Sequence, residues 1–301
     1  DIIRKINSKS INLFLSDDKI LVIKADRGEY KLHIMDPLDY PQIDFVTLEN
    51  PLKLDANAFA NIIKETVFAS ASTEKKPILT GVNFKNENGE LIATATDSFR
   101  LAQKKISIPE YDPFNITVPS KSLEELTKAI ETDIEEVNLY FSQNKLLFSF
   151  KNVCFQTRLL DGNYPDTSRL IPKEFTNILK FNKDELIDAV ERVSLLSPRD
   201  KEKDKELTYS IIKLAINSDR IIEISTTNAS VGDAKEELIP TGIEVTSQLV
   251  IGFSSRYLIE ALRSFMSTEI SINLSGEIRP FIIRGEKDPY LTQLILPVRM
   301  D

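Results

Sequence analysis

A pattern of alternating apolar residues occurs twice in this chain, without a gap and far apart. Ser10-Ile11-Asn12-Leu13-Phe14-Leu15-Ser16-Asp17-Asp18-Lys19-Ile20-Leu21 is matched by Glu136-Val137-Asn138-Leu139-Tyr140-Phe141-Ser142-Gln143-Asn144-Lys145-Leu146-Leu147, and more loosely by Glu269-Ile270-Ser271-Ile272-Asn273-Leu274-Ser275. Alternation at period two sends one set of side chains to a buried face, so each copy reads as strand, turn and strand. A helical or helix-end segment precedes each copy, at 2–6, 122–131 and 255–265. Recurrence at this scale predicts a fold assembled from repeated units.

A second unit also recurs. Leu52-Lys53-Leu54-Asp55 leads into a helix with Phe59, Ile62, Ile63 and Thr66 on neighbouring turns, and Leu179-Lys180-Phe181-Asn182 leads into one with Leu186, Ala189, Val190 and Val193. Asp55 and Asn182 read as N-caps, because short polar side chains accept from the first free amides of a helix. Strands are expected at 78–84 and 90–96 after the first helix, and at 210–216 and 220–226 after the second. Asn88-Gly89 predicts a tight hairpin turn between the first pair.

The class is therefore α+β, with helix-plus-three-strand units, two per domain. Prolines at 41, 51, 165 and 172 mark the joins, which puts domains at 1–50, 51–172 and 173–301. Residues 1–7 read as the end of a helix, so the chain is expected to begin inside its first domain.

Little in the composition supports catalysis. No phosphate-binding Gly-x-x-x-x-Gly-Lys loop or dinucleotide-binding glycine motif occurs, and the chain has nine glycines in all. The single cysteine, Cys154, excludes an internal disulfide, suits a reducing compartment and, in an alternating run, reads as a core thiol. The single histidine, His33, lies in another alternating run, so multi-histidine metal sites have no support. No metal or other cofactor is predicted. The alternative from another class is a metal-dependent hydrolase using an Asp pair such as Asp97 with Asp166. No apolar run reaches the ~18 residues of a membrane helix.

The net charge of −8 argues against a strongly basic nucleic-acid binder, but leaves room for a locally positive face. The repeats locate candidates. Aligning Val118-Pro119-Ser120-Lys121 with Phe253-Ser254-Ser255-Arg256 places Lys121 and Arg256 at equivalent helix-start positions. Lys64 is weaker, since its repeat counterpart is Glu191. The most charged run, residues 197–206, includes Arg199 and reads as a solvated loop in which acids offset the bases.

Three segments carry a resemblance. Ala93-Thr94-Ala95-Thr96-Asp97-Ser98-Phe99-Arg100-Leu101-Ala102 is followed by Asp161-Gly162-Asn163-Tyr164-Pro165-Asp166 with Arg169-Leu170-Ile171-Pro172, and by the tail Leu294-Ile295-Leu296-Pro297-Val298-Arg299-Met300. Their order and spacing resemble the bacterial sliding clamps, the beta subunit of DNA polymerase III. The resemblance covers nearly the whole chain.

The resemblance implies a homodimeric ring around duplex DNA, sheets outside and helices lining the hole, with no enzymatic activity. The lining helices would lie near 55–70, 119–131, 182–196 and 254–265. Lys64, Lys121, Arg199 and Arg256 would face the DNA. Tyr30 and Leu32 of one copy would meet Leu195 and Leu196 of the other, in a dimer weaker than that of a chain with a full first domain. A peptide-binding groove would comprise Leu79, Thr96, Ser98, Phe99, Arg100, Leu101, Pro165, Arg169, Leu170, Pro280, Leu294, Leu296, Pro297, Val298, Arg299 and Met300, with Arg100 orienting the peptide. The implied partners are the polymerase III catalytic subunit, the clamp loader, and repair polymerases and ligase-type proteins bearing short motifs. The location would be the cytoplasm, at the nucleoid. Phe99 stands where the family usually has His and Met300 where it usually has Leu, so peptide ranking is expected to differ.

Overall fold

The computed structural model describes residues 1–17, 19–41, 45, 50–130, 133–197 and 210–299. The chain divides into two units, Asp1–Val46 and Thr47–Asp301.

The first unit holds a short helix, α1 (Ile2–Lys5), and three antiparallel strands, β1 (Asn12–Asp17), β2 (Ile20–Ala25) and β3 (Gly28–His33). Their order is β1-β2-β3, so β3 is an edge. Val22 and Ile23 of the central strand are buried.

The second unit repeats one plan four times, and each copy opens with a strand that the sequence reading did not assign. The first copy is β4 (Leu52–Asp55), α2 (Ala56–Lys64), β5 (Gly81–Glu87), β6 (Glu90–Thr96) and β7 (Arg100–Ser107). The next is β8 (Phe114–Pro119), α3 (Ser120–Ala129), β9 (Glu136–Phe141), β10 (Lys145–Phe150) and β11 (Val153–Arg158). The third is β12 (Asn177–Asn182), α4 (Lys183–Ser194), β13 (Ile211–Ile216), β14 (Ile222–Asn228) and β15 (Gly232–Leu238). A short extra strand, β16 (Gly242–Val245), precedes the last: β17 (Leu249–Ser254), α5 (Ser255–Arg263), β18 (Glu269–Leu274), β19 (Phe281–Gly285) and β20 (Leu291–Ile295).

Local chemistry explains the boundaries. Asp55 accepts from the amide of Ala58 at 2.7 Å, and Asn182 from Asp184 and Glu185 at 3.0 and 3.2 Å, so both cap their helices. Asn88 and Gly89 have φ of 54° and 77°, the two positive values that a tight hairpin turn requires. Three expectations are corrected. Residues 77–80 form a 3-10 turn, begun by Pro77, and the strand starts only at Gly81. Arg220 has φ of 62° in a turn, which delays the next strand to Ile222. Cys154 is exposed, because β11 is the outer strand of its sheet and turns that position outward.

The opening strands change places. β4 pairs with β9 of the next copy while β8 pairs with β5 of the first, and β12 and β17 do likewise with β18 and β13. Helices pair beneath the sheets, α2 on α3 and α4 on α5. Each pair closes its own core, one around Phe59, Phe84 and Phe148, the other around Phe181, Phe253 and Phe281.

A single sheet runs through both cores. Its order is β16-β12-β18-β19-β20-β7-β6-β5-β8, and the central contact is β20 against β7, from Leu291 opposite Lys104 to Ile295 opposite Arg100. Gln293 reinforces this seam. Buried in β20, its amide nitrogen donates to the Glu65 carbonyl beyond α2 and to Ser264 Oγ beyond α5, each at 2.9 Å.

Candidate functional site

The β6–β7 turn is built by its own side chains. Asp97 Oδ1 accepts from the amides of Phe99 and Arg100 at 2.8 and 3.0 Å, and Ser98 adopts φ of 82°. Thr96 Oγ1 donates to the Arg100 carbonyl at 2.5 Å and accepts from the Ser98 amide at 3.1 Å. This closes the Asp-Ser pair into a compact corner, as short polar side chains favour. Alternation then aims Leu101 away from the helices. It packs with Ile282 and Leu294 under Ile171 and Phe175, a small apolar cluster on the outer face.

Beside that cluster opens a cavity of about 540 Å³. Leu79, Leu101 and Leu294 are buried in its floor, while Leu170 and Leu296 stand 51% and 37% exposed at its edge. Thr96, Ser98, Arg100 and Pro165 complete the predicted residues that line it. Lys76, Ile78 and Thr167 also line it, and the sequence reading missed them. The signal available for Ile78 and Thr167 was adjacency to Leu79 and to the Pro165 segment. Phe99, Arg169, Pro280, Pro297, Val298 and Arg299 are not in its wall. Phe99 instead gives its carbonyl to the Leu296 amide at 2.9 Å, and the Val298 amide donates to the Gly252 carbonyl at 2.8 Å. Those two bonds carry the tail from the end of the long sheet to β17 of the four-stranded sheet β15-β14-β13-β17. Met300 lies outside the described residues.

Arg100 lines the cavity, yet most of its guanidinium is engaged within the protein. Its side chain is 7% exposed and committed inward. Nε donates to Asp97 at 3.0 Å, Nη1 to Glu260, and Nη2 to the Phe68 carbonyl at 2.6 Å. The guanidinium lies 4.4 Å from the Tyr257 ring centre and 5.4 Å from that of Phe68. A guanidinium with these partners ties one repeat pair to the other, and has little left for a ligand.

On the helical side, Pro119 and Ser254 are the N-caps of α3 and α5, so Lys121 and Arg256 occupy the same helical position. Both line one cleft of about 460 Å³, which also contains Glu74 and Glu124. Arg256 pairs with Glu260 at 2.8 Å. Burial works to raise the Glu260 pKa, but hydrogen bonds from Arg256 and Arg100 outweigh it and hold the carboxyl below its ordinary range. Lys64 is exposed in the last turn of α2. Arg199 lies outside the described residues. Leu195 is 70% exposed at the end of α4, whereas Leu196 is half-buried, and Tyr30 and Leu32 are 40% and 37% exposed on β3.

Neither aspartate of the alternative hydrolase pair is placed for catalysis. Asp97 is spent on the turn and on Arg100, and Asp166 accepts from the Ser168 amide at 2.9 Å. Among the described residues no cluster of His, Cys, Asp or Glu could hold a metal ion.

Two family models match the chain. One describes the central domain of the DNA polymerase III beta subunit and matches residues 53–166; the other describes its C-terminal domain and matches 168–299. A Bacillus subtilis beta sliding clamp is 36% identical over 301 residues, spanning 99% of this chain and 78% of the relative. A Staphylococcus aureus beta sliding clamp is 35% identical over 300 residues, at 99% and 77% coverage. The crystal structure of the Bacillus subtilis DNA polymerase sliding clamp superposes with a TM-score of 0.88 at 35% identity, covering 100% of this chain and 77% of that one. A Streptococcus pneumoniae DNA polymerase III beta chain gives 0.89 at 33% identity, with coverage of 99% and 78%. Sliding clamps are processivity factors of DNA replication and act without catalysis. The chain belongs to this family, the beta sliding clamps of DNA polymerase III.

Proposed function

We propose that the apolar cavity between β7, β20 and the segment around Pro165 grips a short linear peptide, and that the chain thereby tethers its partners to DNA. One observation carries the reading: residues from all three signature segments line one apolar cavity. A leucine-rich floor with two leucines at the rim suits Leu and Phe side chains, and backbone groups at the edge can orient the peptide. The partners are the polymerase III catalytic subunit, the clamp loader, and repair polymerases and ligase-type proteins, each through a motif with Gln followed by Leu and Phe.

The reading extends to the rest of the molecule. Residues 51–172 and 173–301 act as the second and third clamp domains, and 1–50 belongs to the first. Two copies close a ring in which Tyr30 and Leu32 of one chain meet Leu195 and Leu196 of the other. The exposure of Tyr30, Leu32 and Leu195 and the edge position of β3 support that contact. Lys64, Lys121 and Arg256 face the duplex and touch phosphates weakly, which permits sliding. The protein works in the cytoplasm, at the nucleoid.

Calorimetry with a peptide carrying Gln, Leu and Phe at the motif positions tests the groove. Micromolar binding is expected, about −7 to −8 kcal/mol, and Leu170→Asp should abolish most of it. No binding near millimolar peptide, or equal binding by the variant, would reject the assignment.

A further inference from the structure

Alternation along β5, β6 and β7 divides their side chains between two faces of the long sheet. Val82, Phe84, Leu91, Ala93 and Ala102 enter the core above the helices. The opposite set is mainly polar: Asn83, Lys85, Thr94, Gln103 and Lys105, with Ile92 among them, line an outer cavity of about 700 Å³. Lys85 stands opposite Ile92, and Ile92 opposite Lys105, so the two lysines flank one cross-strand row. Arg284 enters from β19 and Lys173 from the connection that follows β11.

Charge is unevenly balanced here. The cavity holds these four cations against the carboxylates of Glu87 and Asp166, in a chain whose net charge is −8. Lys85 pairs with Glu87 at 2.8 Å, and Lys105 with Glu90 at 3.3 Å. Among the described residues neither Lys173 nor Arg284 has an ion-pair partner. Arg284 lies 6.0 Å from the Phe175 ring centre, and its guanidinium edge stays available. A concavity with an excess of one sign on an oppositely charged protein concentrates ligands of the complementary sign.

The outer cavity adjoins the apolar one. Pro165 and Thr167 line both, so a single stretch of chain separates them. A peptide seated in the apolar cavity reaches the cationic one with its next few residues. We infer that this outer cavity docks an acidic flank of the partner peptide, with Lys173 and Arg284 as the free cations that receive it. This rests on the apolar cavity being a peptide groove. Nucleic acid fits less well, because its phosphates recur along a line while these cations share one concavity with two carboxylates. Anchoring in the groove raises the effective concentration of the flank, so weak charge contacts register as affinity.

The experiment measures binding of the full chain to three peptides by calorimetry. All carry the Gln, Leu and Phe motif; one has neutral Gly-Ser flanks, and the others have four glutamates on the amino or the carboxyl side. One acidic peptide should bind about fivefold tighter than the neutral one at low salt, and the gain should vanish in high salt. The double variant Lys173→Glu, Arg284→Glu should remove the gain and leave the neutral peptide unaffected. An equal gain in the variant, or no gain on either side, overturns the inference while leaving the groove intact. If the neutral peptide fails to bind, the groove reading falls. Free hexaglutamate then decides: binding lost in the variant supports the cationic cavity, and no binding rejects it. A short single-stranded oligonucleotide that binds through Lys173 and Arg284 and displaces the acidic flank would assign the cavity to nucleic acid and overturn the peptide.

Discussion

Arg100 shows how a signature residue can serve the fold. Its guanidinium is buried between Asp97 and Glu260 and stacked near Tyr257. Replacing it with alanine leaves Asp97, 14% exposed, without its cationic partner and Glu260 with Arg256 alone, and should lower the unfolding free energy by about 3 kcal/mol in denaturant titrations. A loss below about 0.5 kcal/mol would mean that the ion pairs hold nothing together. Glu260 supplies a pH signature. Its folded pKa is depressed, so its ionised form stabilises the protein above the ordinary glutamate value of 4.5, and that contribution is lost as pH falls through the folded value. The melting temperature of Glu260→Gln should lie below that of the parent by a constant amount near neutrality, and the gap should close in acid. A gap that widens in acid would contradict the assignment. The buried state of Arg100 was not legible in the sequence, because its partners Phe68 and Glu260 come from distant segments.

Helix starts and hairpin turns were legible because their causes are local. A cap needs one short side chain and the next three amides, so Asp55 and Asn182 could be identified without any tertiary knowledge. Asn182→Ala should cost about 1 kcal/mol, read as a lower denaturation midpoint, whereas Asn182→Asp should be nearly neutral. The opening strands were missed for the opposite reason. β4 has only four residues, and both β4 and β12 hydrogen-bond to a strand of the neighbouring copy. Leu52 and Leu54, like Leu179 and Phe181, do alternate, but each run leads straight into a helix cap and the strand it pairs with lies in the other copy. Pro77 was a local signal for a turn, yet the apolar run after it outweighed it in the strand assignment.

At the scale of the molecule, the seam between β20 and β7 joins the two repeat pairs and sets the apolar cavity beside it. The proposed ring predicts a topological test. Protein loaded on a circular plasmid should remain bound through gel filtration and be released once the plasmid is cut. Equal retention on both forms would indicate ordinary binding instead. The repeats, the α+β class, the helix caps and the three signature segments were determined by the sequence alone, since each depends on periodicity or on neighbours within a few residues. Only the tertiary structure decided which strands pair across copies, that Arg100 faces inward, that Cys154 faces out, and that a cationic cavity shares a wall with the apolar one. Those outcomes depend on contacts between residues far apart in the chain, and a one-residue change of strand register would send the same side chains to the opposite face.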